Sequence, residues 1–464
     1  MKTTLHNFTF FIILTLCIIP FSNAQSWEYV GTPGFSGGGV DYTSFALNST
    51  DEPYVAFLDS LHLNKVSVMK FNGTNWEAVG ARGFSTNQAD FCSLAINDSG
   101  EPYVAFQDRS FLANQATVMK FDGTNWVNVG SPGFSAGGAF SVSLALSNSG
   151  VPYVAYRDHG NLTKLTVMKF NGANWENVGS PGFSDGQVTD VSLKLNASGV
   201  LYVAFKDYGG AYSERERITV MKFNGSNWET VGMPRFSNDE ADYCTLAFSN
   251  TDEPYVAFTD KANQFKATVM KFNGSNWETV GLAGFSPDRA FNFSLTFSSV
   301  GVPYLAYMDR DNEDKATVVK FNGTNWETVG SHGFSEGRAF HSSLLLNSSD
   351  EPYLAISETS LIGLSYRRAS VMKFTNTMSV QDNEVSRVSL YPNPANDLVT
   401  LTNLPYGETD IKVFDITGKE VFSINANTGI ETIDTTNFTN GIYLVRIGHK
   451  EKITYKKLVI SNKA

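Results

Sequence analysis

All seven tryptophans of this chain sit in copies of one motif, and that repetition restricts the possible folds more than any other property of the sequence. Trp27, Trp76, Trp126, Trp175, Trp228, Trp277 and Trp326 are spaced by 49, 50, 49, 53, 49 and 49 residues. Each is followed by Val-Gly and then by Gly-Phe-Ser, as in Val79-Gly80 and Gly83-Phe84-Ser85; the fifth copy reads Arg235-Phe236-Ser237. A second motif, Tyr-(Val/Leu)-Ala, begins at Tyr54, Tyr103, Tyr153, Tyr202, Tyr255, Tyr304 and Tyr353. A third, Lys-Phe, closes at Phe71 and recurs through Phe374. Seven copies fill residues 25–374, about 50 residues each.

Each copy reads as four short strands, here termed a to d. Ser93-Leu94-Ala95-Ile96 typifies strand a, Tyr103-Val104-Ala105-Phe106 strand b, and Ala116 to Phe121 strand c, while strand d carries the Trp. Asn72-Gly73 or Asp122-Gly123 joins c to d, and such dipeptides tolerate the positive φ of a tight hairpin. Four antiparallel strands at this period describe a blade of a β-propeller. The chain opens on an orphan d strand at Trp27 and ends the repeat on a, b and c strands with no Trp after them. The expected fold is therefore all-β: a seven-bladed β-propeller with circular closure by the N-terminal strand. An open solenoid would leave an orphan strand at each end.

Ahead of the repeat, residues 1–24 read as a secretory signal peptide: Lys2, an apolar run from Phe8 to Phe21, and the small-x-small exit Ser22-Asn23-Ala24. No second apolar run of membrane-spanning length follows. A net charge of -11 argues against a nucleic-acid binder, which needs a basic face. With three cysteines, one of them in the leader, a disulfide framework is excluded. Cys92 and Cys244 occupy one position in strand a of nearly opposite blades, too far apart to bridge, and read as buried small residues. A Trp at the same place in every blade is expected to pack blade on blade. Strand b ends in Asp59, Asp108, Asp158, Asp207, Asp260, Asp309 and Glu358; strand c starts with Lys65, Gln115, Lys164, Arg217, Lys266, Lys315 and Arg368. Six of the seven pairs are opposite in charge, which reads as a set of salt bridges across the b–c loops.

No catalytic motif stands out. The mature histidines have no metal-ligand spacing, and there is no nucleophile elbow, phosphate loop or His-Glu-x-x-His. No cofactor is implied; Asp309, Asp311, Glu313 and Asp314 in the sixth b–c loop form a weak candidate for Ca²⁺. The a–b and c–d turns repeat almost unchanged on one rim. The opposite rim, formed by the d–a and b–c connections, varies from blade to blade, and variation on a rigid scaffold is where recognition resides. The candidate ligand residues there are Tyr42, Asp190, Tyr243 and His341 at the start of strand a, Tyr208, Tyr212 and Tyr366 in b–c loops, and Arg289 and Arg338 beside the rim.

After Phe374 the pattern changes. Residues 375–387 are polar and read as a linker, and residues 388–464 alternate strands and turns as a small antiparallel sandwich. Tyr391-Pro392-Asn393-Pro394, Asp397, Thr417-Gly418-Lys419 and Gly441-Ile442-Tyr443-Leu444 come in the order that resembles the type A sorting domain of the type IX secretion system. The resemblance implies export across a Gram-negative outer membrane through that machinery, with the cargo released or attached to the cell surface. The expected protein is a monomeric, secreted or surface-displayed propeller that binds a glycan or protein, in the manner of an adhesin. The alternatives are a secreted polysaccharide-active hydrolase or lyase, which needs convergent acid, Tyr, His or Arg groups at the channel mouth, and a structural surface protein.

Overall fold

The computed structural model describes residues 26–110, 113–359, 366–375, 388–405, 407–427, 429–449 and 452–461. The expected leader, residues 376–387 of the expected linker, and Leu361 and Ile362 lie outside them. The chain divides into two compact units, one spanning Gln25–Thr375 and one containing Asn376–Ala464.

The first unit consists of seven four-stranded antiparallel sheets. In the first sheet, a is Val40–Leu47, b Pro53–Asp59, c Lys65–Phe71 and d Trp76–Ala78. Strand b is buried along its whole length, which accounts for its unbroken apolar run: both of its faces lie against neighbouring sheets. The outer strand of the seventh sheet is Ser26–Tyr29, paired with Arg367–Thr375 so that Trp27 faces Phe374. This repeats the pairing of Trp76 with Phe71 in the first blade.

The tryptophans join blade to blade. The indole of Trp126 stacks on Phe84 of the preceding Gly-Phe-Ser at 4.0 Å and 6°, and its N–H donates to the Val79 carbonyl at 2.7 Å. Trp27 does the same with Phe334 and the Val329 carbonyl. Gly80 is required between these rings: its φ is +68°, and a Cβ there would stand 2.7 Å from the Phe121 ring.

The acidic ring corrects the salt-bridge expectation. Asp59 pairs in register with Lys65, but the two form no ion pair, and the carboxylate is fully buried. It accepts from Leu61 N at 3.1 Å and from Ser67 Oγ at 2.8 Å, and its ion pair is with Arg82, at 2.6 Å, rather than with the strand-c lysine. Asp158 and Asp309 repeat the hydroxyl bond with Thr166 and Thr317 on strand c. The carboxylate thus caps a single 3-10 turn, Ser60–His62 in the first blade, and ties the b–c loop to strand c. A buried, hydrogen-bonded carboxylate contributes more than an exposed pair with a mobile lysine.

In the second unit, Ser389–Tyr391, Leu398–Thr402 and Ile430–Asp434 form one sheet. Thr409–Phe414, Glu420–Ala426, Gly441–His449 and Lys452–Ile460 form the other. Their alternating apolar residues share one core, with Val399, Leu401, Ile411, Val413, Ile433, Val445, Ile447 and Leu458 fully buried. The Asn393 side chain of the Tyr-Pro-Asn-Pro motif docks on the last strand, donating to Lys457 O at 2.8 Å and accepting from Val459 N at 2.9 Å.

Candidate functional site

Strand a starts four residues earlier than the sequence pattern suggests, and it starts with a bulge. In the first blade Asp41 pairs with Leu58 and pairing resumes only at Ser44 with Ala56; all seven blades show the same shift. The bulged residues are Tyr42, Phe91, Ser141, Asp190, Tyr243, Asn292 and His341, all left-handed with φ between 49° and 54°. Such a conformation costs a non-glycine residue about 1–3 kcal/mol and persists only where the surroundings hold it. At three of the seven positions the next blade supplies a holding group. Thr43 Oγ1 donates to His341 O at 3.0 Å, and Cys244 Sγ donates to Asp190 O at 2.9 Å. Cys92 bonds Tyr42 O in the same way, its thiol pushed up to about 12 by burial and so kept protonated. The two cysteines are free and buried, as their sequence positions imply.

The bulge sits at the start of strand a, the strand that lines the central channel, and so at the mouth of that channel. The mouth has two sectors. In one, Tyr42 packs against Phe91 at 4.8 Å and against His341 at 5.0 Å. His341 lies 3.9 Å from Asp41, which also takes an ion pair from Arg367 at 2.9 Å. Burial lowers the His341 pKa, although Asp41 opposes the shift. In the other sector, Tyr243 N donates to Asp190 Oδ2 at 3.3 Å. Burial, with the charge of Asp242 nearby, raises the Asp190 carboxyl above its ordinary value. Behind this pair Lys206 bonds Asp242 at 2.6 Å and Glu216 at 2.7 Å; its ammonium stands 5.3 Å from the Tyr208 ring.

The mouth therefore gathers Tyr42, His341, Asp190 and Tyr243, with Tyr208 joined to the second sector through Lys206. Of the remaining expected residues, Tyr366 lines a cavity of about 460 Å³ with Asp41 and Arg367 of the first sector, and the others lie elsewhere. Tyr212 is 88% exposed beside Arg215, and Arg289 lies over the Phe265 ring. Arg338 pairs with Asp314, and Tyr366 bonds Arg368. The acidic b–c loop does not converge on a point. Asp309 is turned inward to Thr317 and Asn312, Asp314 holds Arg310 and Arg338, and Glu313 reaches Lys315. Among the described residues no group of three or more His, Cys, Asp or Glu is placed to hold a metal ion.

Lys206, Asp242, Asp41 and Arg367 were not singled out from the sequence; each occupies a strand position that other blades fill with a different residue type, a signal that the repeat alignment contains. Lys194 is another. The strands a of all seven blades line a channel cavity of about 510 Å³, where Lys194 is the only charged lining residue. It is accessible to channel water but surrounded by protein on every side, and that enclosure lowers its pKa. Serines of this ring hold the blades, with Ser44 Oγ accepting from Leu94 N and Ser192 Oγ from Leu246 N, whereas Ser342 Oγ is buried without a hydrogen-bond partner.

The raised carboxyl of Asp190 has a consequence for stability. A carboxyl with a raised folded pKa contributes stability below its unfolded value, and that contribution is lost as pH rises through the folded value. Ionised Asp190 is therefore a cost at neutral pH. Asp190→Asn, which keeps an acceptor for Tyr243 N, is expected to raise the melting temperature at pH 7 by a few degrees, with the gain shrinking toward pH 4. Calorimetry at both values checks this; a lower melting temperature at pH 7 would contradict the assignment.

Residues 389–461 match the family described as the secretion system C-terminal sorting domain. No curated protein matches the chain. Among solved structures, the chain is similar to PorZ, a surface component of the type IX secretion system of Porphyromonas gingivalis. The identity is 14% and the TM-score 0.40, and the match covers 88% of this chain but only 64% of PorZ. It is also similar to an ulvan lyase, at 11% identity and TM-score 0.49 over 74% of this chain and 94% of that one. A lectin from Aleuria aurantia is similar at 14% identity and TM-score 0.41, over 65% of this chain and 99% of the lectin. The chain is thus a seven-bladed, propeller-like β protein that ends in a type IX secretion sorting domain. That domain implies secretion or attachment to the cell surface, and no helix among the described residues is long and apolar enough to cross a membrane.

Proposed function

We propose that the propeller is an extracellular recognition module that takes one glycan ligand over the channel mouth, and that it works by binding rather than by catalysis. The observation that carries this reading is the lip of seven left-handed bulge residues. The same backbone device is repeated in every blade, yet it presents Tyr, Phe, Ser, Asp, Tyr, Asn and His in turn. Strain maintained at seven places and decorated differently at each suits a site that reads one asymmetric ligand. Tyr and His offer an apolar face with a hydrogen-bonding tip, and Asp190 adds an acceptor, a mixture suited to a sugar. A peptide ligand would use the same groups.

A polysaccharide-active enzyme is the second reading, supported by the protonation bias of Asp190 beside Tyr243 and by the neutral bias of His341. The two assays to pair are a glycan array and measurement of released reducing ends or unsaturated products. Binding without release is expected. For a glycan found on the array, Tyr243→Ala and His341→Ala should each weaken binding by about 1–2 kcal/mol, the scale of an interface anchor. Wild-type affinity in both variants would exclude the mouth as the site, and sustained product release lost in Asp190→Asn would establish the enzyme instead.

A further inference from the structure

On the opposite rim, clefts open between adjacent blades, and three of them are well formed among the described residues. They measure about 600 Å³ between the second and third blades, 480 Å³ between the third and fourth, and 590 Å³ between the fifth and sixth. These volumes fall in the range of small-ligand sites. Each cleft is walled by two tyrosines and two lysines, one of each from either blade: Tyr255, Tyr304, Lys271 and Lys320 in the last of them.

One position separates the open blades from the others. Two residues before the strand-b Tyr stand Val151, Val200 and Val302 at the three clefts, whereas the other four blades carry Glu52, Glu101, Glu253 and Glu351. Where Glu is present it is engaged: Glu101 takes bonds from Asn97 Nδ2 at 2.7 Å and from Lys120 Nζ at 3.1 Å. Three of those four blades also have Asp before the Glu, and this Asp stitches the turn to the preceding blade. Asp252 accepts from Ala197 N and Ser198 Oγ, Asp350 from Ser299 N, and Asp51 from Ser348 N. At the clefts the pair is Gly-Val, which makes neither contact. Tyr153, Tyr202 and Tyr304 beside Val are partly exposed; of the tyrosines beside Glu, Tyr54, Tyr103 and Tyr255 are buried and Tyr353 is partly exposed.

We infer that the three Gly-Val clefts are equivalent binding sites for an anionic pyranose unit, its carboxylate or sulfate on the lysines and its ring face against Tyr and Val. The cleft lysines are held only by pairs at the cleft edge: Lys120 pairs with Glu101, Lys169 with Glu176, Lys222 with Glu229 and Lys271 with Glu278. The pairs that Lys169 and Lys222 make with Glu176 and Glu229, at 3.1 Å each, are solvent-exposed. Exposed pairs contribute little, so the lysines are free to turn to a ligand. The clefts lie on the rim away from the channel mouth, and the inference does not rest on the site there.

The test is calorimetric titration of the full chain with tetraglucuronate, with its carboxyl methyl ester, and with a sulfated neutral tetrasaccharide. Three sites per chain are expected for an anionic probe, with at least 10-fold weaker binding of the ester. V151E, V200E and V302E should each remove one site, and E101V should add a fourth. A single site unaffected by these substitutions, equal binding of acid and ester, or no binding of either anionic probe would overturn the inference. Should the Val→Glu variants fail to melt cooperatively, the gain in E101V decides: a fourth site upholds the inference and an unchanged count refutes it. Loss of mouth binding in Tyr243→Ala leaves this count unchanged, which keeps the two sites distinguishable.

Discussion

Removal of residues 25–31 is expected to destabilise all seven blades together rather than to fray one of them, as circular closure requires. The segment supplies the outer strand of the seventh sheet, and its loss leaves Arg367–Thr375 as an open edge. It also removes the stack of Trp27 on Phe334 at 4.2 Å, the bond from Trp27 to Val329 O, and the bond from Tyr29 to Glu358 at 3.2 Å. Truncating a buried Trp alone costs about 3–5 kcal/mol. Deletion of the strand adds its backbone pairing, and the total approaches the 5–15 kcal/mol that holds a typical domain. A single melting transition lowered by roughly 10 °C or more is the expected calorimetric result. An unchanged melting temperature would show that the first and last blades do not depend on each other. Trp27→Ala should give a smaller loss in the same direction.

Removal of residues 388–464 is expected to abolish export while leaving the propeller folded. The second unit has its own core, and none of the described sheets combines its strands with those of Gln25–Thr375. In the native host the truncated chain should fall to background in the medium and on the surface, and accumulate in the periplasm. Fractionation with immunodetection reads this directly, and normal surface levels would rule out dependence on the sorting domain. Val445→Asp provides a point test: Val445 is fully buried, and an unpaired charge there should cost about 3–5 kcal/mol, enough to unfold a small sandwich. Export should fall with it.

The mouth and the cleft rim place different demands on the chain. At the mouth, seven strained residues recur, three of them bonded by donors from the next blade, and burial penalises the ionised form of Asp190. At the cleft rim, Gly-Val turns forgo bonds that Asp-Glu turns make. Both are places where stability has been given up, which is where binding sites are found.

The repeat, the four strands of each blade, the blade-to-blade role of Trp and the sorting domain were legible in the sequence. Each depends on residue identity at a fixed spacing: period-two apolar runs, Asn-Gly at a hairpin, an indole large enough to join two sheets. The bulge at the start of strand a was not legible. Its left-handed residue is Tyr, Phe or Ser in four blades, where no local preference for φ > 0 announces it, and Asp, Asn or His in only three. In three blades the strained carbonyl is bonded from the next blade, by Thr43, Cys92 or Cys244, about 50 residues away or, for Thr43, 298. The acidic ring was found by its periodicity but assigned the wrong partner, because register brings Lys65 opposite Asp59 while burial turns the carboxylate toward Leu61 N and Ser67. Sequence spacing thus determined which residues recur and in what order along the chain. Which way each side chain turns was decided by the packing of neighbouring sheets, since a buried polar group must bond whatever the fold brings within reach.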